Sequence, residues 1–241
     1  MANTYFQFKQ FVVHQELCAM KVCTDSCVFG AIVASQSNEN TIQALDIGSG
    51  TGLLSLMLAQ QLPNTYVDAV ELDYNAYSQS VQNFAASSFS KKLIAHHIDI
   101  HQYVITSVKT YDLIICNPPF YTQHLKSPKS ENNKAKHNDT LTPNNLAEMV
   151  AKLLSPDGIF WLLIPISESE LYIQNMVQNG LYIYAQYAVM DRETLPAFRK
   201  IISFTKQENS NVSAHEICIK NLDNTYTSTF IALLKNYYLH F

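Results

Sequence analysis

The segment Leu45-Asp46-Ile47-Gly48-Ser49-Gly50-Thr51-Gly52 narrows what this chain can fold into more than any other. Glycines at alternate positions close one apolar run and open a Leu-rich one. The backbone therefore turns sharply from strand into helix at a point where no Cβ obstructs a ligand. The spacing is G-x-G-x-G, not the G-x-G-x-x-G that seats a pyrophosphate on a helix N-terminus. Asp46, two positions before the first glycine, stands at the strand end, where a carboxylate accepts from an ammonium group or orders a water. That suits a zwitterionic amino-acid moiety better than a diphosphate. The competing reading is a glycine turn of structural origin alone.

Around this loop the apolar pattern alternates between periods of 2 and 3.6, the mark of a doubly wound, Rossmann-like α/β sheet. Seven strands are predicted: Ile42 to Ile47, Tyr66 to Glu71, Leu93 to His97, Tyr111 to Cys116, Gly158 to Ile164, Tyr182 to Val189 and Lys200 to Thr205. Helices are predicted over Leu53 to Gln61, Asn75 to Ala86, Pro143 to Leu154 and Ser167 to Asn179, with Pro63 and Gly180 as stops. A ligand crevice belongs at the carboxyl ends of the strands, near the switch in strand order beside the first. Residues 1–35 are read as an N-terminal cap with a helix from Thr24 to Ala34, and residues 36–241 as the main domain. Lys21, Thr24 and Asp25 face the crevice if this cap folds over the glycine loop.

Length and composition agree with one large globular domain: 241 residues, 47% hydrophobic and 15% charged. The N-terminus has no apolar signal core and Ile159 to Ile166 is far too short to span a bilayer, so a cytoplasmic protein without membrane contact is expected. The net charge of -4 does not advertise nucleic-acid binding, so any such contact must be local. One stretch qualifies, Lys126, Lys129, Lys134, Lys136 and His137, which on composition alone is equally a solvated loop. The cysteines Cys18, Cys23, Cys27, Cys116 and Cys218 lack a matching downstream cluster and read as reduced structural thiols rather than a zinc site.

Glu71 ends the second strand about twenty residues after the glycine loop, where a ribose diol would lie and two carboxylate oxygens would accept both hydroxyl protons. Asp73 is the alternative for that role. At the next strand end, in His97-Ile98-Asp99-Ile100, Asp99 is placed to accept from an adenine amino group while Ile100 covers the ring. His96, His97 and His101 are scattered to different faces by strand alternation, so no metal is expected.

After the fourth strand comes Asn117-Pro118-Pro119-Phe120, which resembles the N-P-P-Y/F signature of amino-methyltransferases acting on adenine, cytosine or glutamine amides. The resemblance implies that the Asn117 side-chain oxygen and the Pro118 carbonyl accept the two amine hydrogens, that Pro119 stiffens the turn, and that Phe120 stacks on the flat acceptor. The chemistry has a need for this, because an aniline-like nitrogen shares its lone pair with its ring and must be turned out of conjugation before it attacks a methyl group. Positioning of this kind supplies up to about 7 to 11 kcal/mol.

The outer segments resemble a particular family. Phe6-Gln7-Phe8-Lys9-Gln10-Phe11, Ala19-Met20-Lys21-Val22, Thr24-Asp25 and the tail Tyr237-Tyr238-Leu239-His240-Phe241 look like the bacterial tRNA1(Val) adenine-37 N6-methyltransferases, over nearly the whole chain. That resemblance implies a class I methyltransferase fold, mostly parallel with an antiparallel last strand, and S-adenosylmethionine as cofactor. The cofactor set becomes Lys21, Thr24, Asp25, Asp46, Gly48, Gly50, Gly52, Glu71, Leu72, Asp99, Ile100 and Asn117. A tRNA anticodon loop is the implied partner, with Lys126 to His137, Arg199 and Lys200 as the phosphate-facing rim, and the protein a monomer or weak homodimer. Some positions depart from the family: Lys134-Ala135-Lys136-His137 stands for an Ala-Arg-His-like stretch, Cys23 for a glycine, and Phe120 for the commoner tyrosine. Competing readings are a protein glutamine N5-methyltransferase, a SAM-binding RNA scaffold without catalysis, and a nicotinamide-dependent oxidoreductase, which the glycine spacing disfavours.

Overall fold

The computed structural model describes residues 3–37, 40–119, 141–208 and 210–241. The chain opens with a small hairpin, β1 (Tyr5–Gln7) against β2 (Val12–His14), followed by helix α1 (Thr24–Gln36). Strand β3 (Gln43–Ile47) leads through the glycine loop into α2 (Leu53–Gln61). Then come β4 (Tyr66–Glu71), α3 (Tyr74–Ala86), β5 (Leu93–His97), α4 (Ile100–Thr106) and β6 (Tyr111–Cys116). The second half holds α5 (Pro143–Leu153), β7 (Leu154–Pro165), α6 (Ser169–Gln178), β8 (Tyr182–Met190), β9 (Arg199–Thr205), β10 (Ser213–Cys218) and α7 (Ser228–Leu234).

The main sheet runs β10-β8-β9-β7-β6-β3-β4-β5. Only β9 is antiparallel to its neighbours. The expected doubly wound sheet is therefore present, with eight strands in place of seven. The antiparallel strand is the seventh predicted one, and it is not the last, because the parallel β10 follows it. Sequence pattern missed β10 because it is an edge strand: four of its six residues are exposed and only Ile217 is buried, so no period of two is written into it.

Strand alternation distributes the core to both sheet faces. Ala44, Val67, Ala69, Leu113, Ile115, Trp161 and Leu163 pack under α1 and α2, together with Phe84 of α3, while Leu45, Ile47, Val70, Ile114, Phe160 and Leu162 pack under α4, α5 and α6. Helix α1 is apolar nearly all round, with Cys27 through Ala34 buried, as a helix sandwiched between layers must be. The Phe8 ring stacks on Phe11, and Phe8 bridges to Tyr238, so the hairpin and the C-terminal tail close over the same face.

The short helix α4 was not foreseen, since seven residues carry too little periodicity. Its start is fixed by Asp99, whose carboxylate accepts from the His101 amide at 2.7 Å. Beneath it lies the buried Asp68, bonded by His96 Nε2, Lys109 Nζ and the Tyr111 hydroxyl at 2.7, 2.8 and 2.9 Å. Burial works to raise this carboxyl, but the three donors outweigh it and hold the group at about 2. No helix among the described residues is long and apolar enough to cross a membrane.

Candidate active site

A cavity of about 490 Å³ opens outside the carboxyl ends of β3, β4 and β5, next to the point where the chain reverses from β5 back to β6. Its size is ordinary for a small-ligand pocket. Gly48, Glu71, Leu72, Asp99, Ile100 and Pro119 line it, six residues singled out by sequence. Asp73, Tyr74, His97 and Leu141 line it as well. Of these, Asp73 was the alternative to Glu71; Tyr74 and His97 carried no pattern of their own.

The glycine loop is built as its composition requires. Gly48, Gly50 and Gly52 have φ of 71°, 54° and 79°, a region closed to most side chains. The Gly48 and Ser49 amides both donate to the Val70 carbonyl, and the Gly50 amide donates to Glu71 Oε2 at 2.8 Å. Glu71 Oε1 takes the Asp73 amide at 2.9 Å. Both carboxylate oxygens are thus aimed by backbone donors, and each retains lone-pair capacity for a hydroxyl. Asn83 of α3, fully buried, joins the Thr51 carbonyl to both backbone groups of His14, so the hairpin and the loop share one anchor.

Asp46 lies deeper than expected. It is fully buried under the loop, does not line the cavity, and accepts from the Ser55 hydroxyl at 2.7 Å; its Oδ1 has no partner among the described residues. Burial, opposed by the Ser55 bonds and helped by the Glu71 charge, pushes its carboxyl up to about 7. The three residues assigned to the cap turn also find other partners. The Lys21 ammonium caps the Gln15 carbonyl, Thr24 is exposed at the first residue of α1, and Asp25 takes Arg199 Nε at 2.8 Å. That pair is mostly buried, so Arg199 Nε is held by Asp25. Lys200 follows it in β9. Phe120, Lys126, Lys129, Lys134, Lys136 and His137 lie outside the described residues.

Asn117 leaves the sheet directly after Cys116, which is in register with Ile47, so it emerges beside Gly48. Its Nδ2 donates to Ser26 Oγ at 3.1 Å. Its Oδ1 is buried and has no partner among the described residues. An acceptor left so costs about 1–3 kcal/mol, which a site tolerates when a ligand donor completes it. Pro118 is buried and Pro119 borders the cavity, whereas Asn117, Gly50 and Gly52 are not among the residues that line it. All five cysteines are free thiols, with Cys27 and Cys116 fully buried.

The model of the methyltransferase small domain matches residues 30–165. A tRNA1(Val) (adenine(37)-N6)-methyltransferase from Cytophaga hutchinsonii is 40% identical over 100% of both chains. One of the same name from Dyadobacter fermentans is 37% identical over 99% of each. Among solved structures, a predicted O-methyltransferase from Agrobacterium tumefaciens superposes with a TM-score of 0.67 at 13% identity, covering 87% of this chain and 95% of that one. A ribosomal protein L11 methylase from Lactobacillus delbrueckii subsp. bulgaricus gives 0.57 at 13% identity, covering 82% and 84%. At such identities the structures speak for the class I methyltransferase fold alone. Full-length similarity at 37–40% identity says more: the chain belongs to the tRNA1(Val) (adenine(37)-N6)-methyltransferase family.

Proposed function

We propose that this protein transfers the methyl group of S-adenosylmethionine to N6 of adenine 37 in the anticodon loop of tRNA1(Val), in the cytoplasm, as a monomer or weak homodimer. The observation that carries the reading is Asn117 Oδ1, a buried acceptor without a partner among the described residues, in the turn whose Pro119 lines a cavity with a donor and acceptor set that fits that cofactor. Gly48 permits close approach of an amino-acid moiety, Glu71 offers two oriented oxygens to a ribose diol, and Asp99 with Ile100 suits an adenine amine and ring face. When bound, S-adenosylmethionine supplies an electrophilic methyl group on a positively charged sulfur.

The protein's own part is positioning. Asn117 Oδ1 and the Pro118 carbonyl accept the two hydrogens of the amine, turning its lone pair away from the ring. The tertiary amides before Pro118 and Pro119 add no competing N–H donor and hold the first carbonyl rigidly. No strong base is required, because the nitrogen gains positive charge as sulfur loses it and its proton leaves afterwards. A single-stranded loop suits this pocket, since its bases splay out and stack on an aromatic ring such as Phe120 for about 1 to 3 kcal/mol per base. Lys126 to His137 hold a local cluster of cations within a chain of net charge -4, as phosphate contact requires.

The test is methylation of unmodified tRNA1(Val) with labelled cofactor, followed by nucleoside analysis. Label in N6-methyladenosine, abolished in a transcript carrying guanine at position 37, is expected; label in another nucleoside, or none, overturns the reading. Neutralising Lys134 and Lys136 together should weaken tRNA binding and flatten its salt dependence.

A further inference from the structure

The unpartnered Asn117 oxygen has a counterpart on the other side of the same amide. Ser26, in the first turn of α1 and 5% exposed, receives Asn117 Nδ2 at 3.1 Å, although 91 residues separate the two. Ser26 Oγ also meets Cys23 Sγ at 3.0 Å. Next to it the Asp25 carboxylate takes the Ser26 amide on Oδ1 at 3.1 Å and Arg199 Nε on Oδ2 at 2.8 Å, and burial together with the Asp25 charge pushes the Cys23 thiol up, which keeps it protonated.

These contacts have one consistent direction. A hydroxyl is a stronger donor than a thiol, so across the 3.0 Å contact the Ser26 O–H donates and Cys23 Sγ accepts. The sulfur lone pairs then face Ser26, whose hydroxyl proton is spent on sulfur, leaving its oxygen to accept. An acceptor requires the NH2 end of the asparagine. With the amide inverted, Asn117 Oδ1 would face the Ser26 oxygen and its NH2 would face the incoming amine, donor against donor.

We infer that Ser26 is a positioning residue for methyl transfer, its hydroxyl holding the Asn117 amide so that Oδ1 rather than NH2 meets the acceptor amine. The inference rests on the proposed role of Asn117 and adds what fixes its orientation. Cys23 sets the direction of the hydroxyl from behind.

The experiment is single-turnover methylation of tRNA by Ser26→Ala, alongside calorimetry with S-adenosylhomocysteine and the KM for tRNA. A 10- to 30-fold loss of rate, with cofactor affinity and KM within about 2-fold of wild type, is expected; a general packing defect would move all three together. A rate within 2-fold of wild type, beside an inactive Asn117→Ala, overturns the inference and leaves the reading of Asn117 standing. An active Asn117→Ala overturns both. Should Ser26→Ala lose cofactor binding, the half-buried Cys23→Ala carries the test: it frees the Ser26 proton to stabilise the inverted amide, so a 3- to 10-fold rate loss with cofactor affinity intact supports the inference, and an unchanged rate overturns it.

Discussion

Replacing Gly52 by alanine separates two kinds of glycine in the glycine loop. Gly52 sits at φ 79° and ψ 13°, and an alanine there pays about 1–2 kcal/mol for the left-handed conformation. A Cβ at that position would also lie 2.4 Å from Phe84 Cε1 and 2.8 Å from Cζ. Phe84, on α3, is 4% exposed and packed into the core, so its ring cannot swing clear without disturbing that layer. Overpacking of this sort adds about 1–3 kcal/mol, for a total of about 2–5 kcal/mol. For a chain of this length that lowers the melting temperature by about 4–20 °C. Gly48 has a similar φ of 71°, yet a Cβ there meets nothing within 4 Å and enters the cavity wall. Gly48→Ala should therefore lose only about 2–8 °C while weakening S-adenosylhomocysteine binding. Thermal melts and calorimetry on the two variants in one buffer test this. A Gly52→Ala protein melting as high as Gly48→Ala would refute the packing argument.

Two buried carboxylates should titrate stability in opposite directions. Asp46, pushed from 3.8 to about 7, binds its proton more tightly in the folded state; its contribution is complete below pH 4 and is lost as the pH rises towards 7. Urea midpoints of Asp46→Asn should therefore decline less than wild type between pH 4 and 7. Asp68, held at about 2, contributes above pH 4 and loses that contribution as the pH falls towards 2, so Asp68→Asn should lower stability at pH 7 and flatten the acid limb. Arg199→Ala leaves the mostly buried Asp25 without its cation and should cost about 3 kcal/mol in denaturant unfolding, with tRNA affinity changed far less than by loss of Lys134 and Lys136.

The glycine loop and Glu71 were readable because strand, turn and helix follow one another without interruption, and the geometry of that unit fixes where the next strand ends. Asp99 and Ile100 were legible on the same ground, since β5 lies in register with β4. Tyr74 and His97 were not: they enter the cavity wall through ring contacts, His97 lying 5.4 Å from Tyr74 and 5.2 Å from Tyr77, and neither contact leaves a trace in spacing. Asp46 was placed at the right strand end, but its depth depends on Ser55 reaching back from α2, a packing fact invisible in one dimension. Ser26 was passed over because its partner is 91 residues away, and the pairing of Arg199 with Asp25 was missed because sequence cannot show the two coming together. Local periodicity reports what a residue is for the backbone; long-range pairing decides what it is for the site.

The most direct measurement is single-turnover methyl transfer by Asn117→Ala with the affinity for S-adenosylhomocysteine taken on the same preparation. The account predicts a rate lowered by about 10³-fold or more, on the scale of losing an oriented acceptor at a reacting centre, with cofactor affinity within a few-fold of wild type. Turnover retained by that variant would show that the buried Asn117 oxygen does not hold the amine.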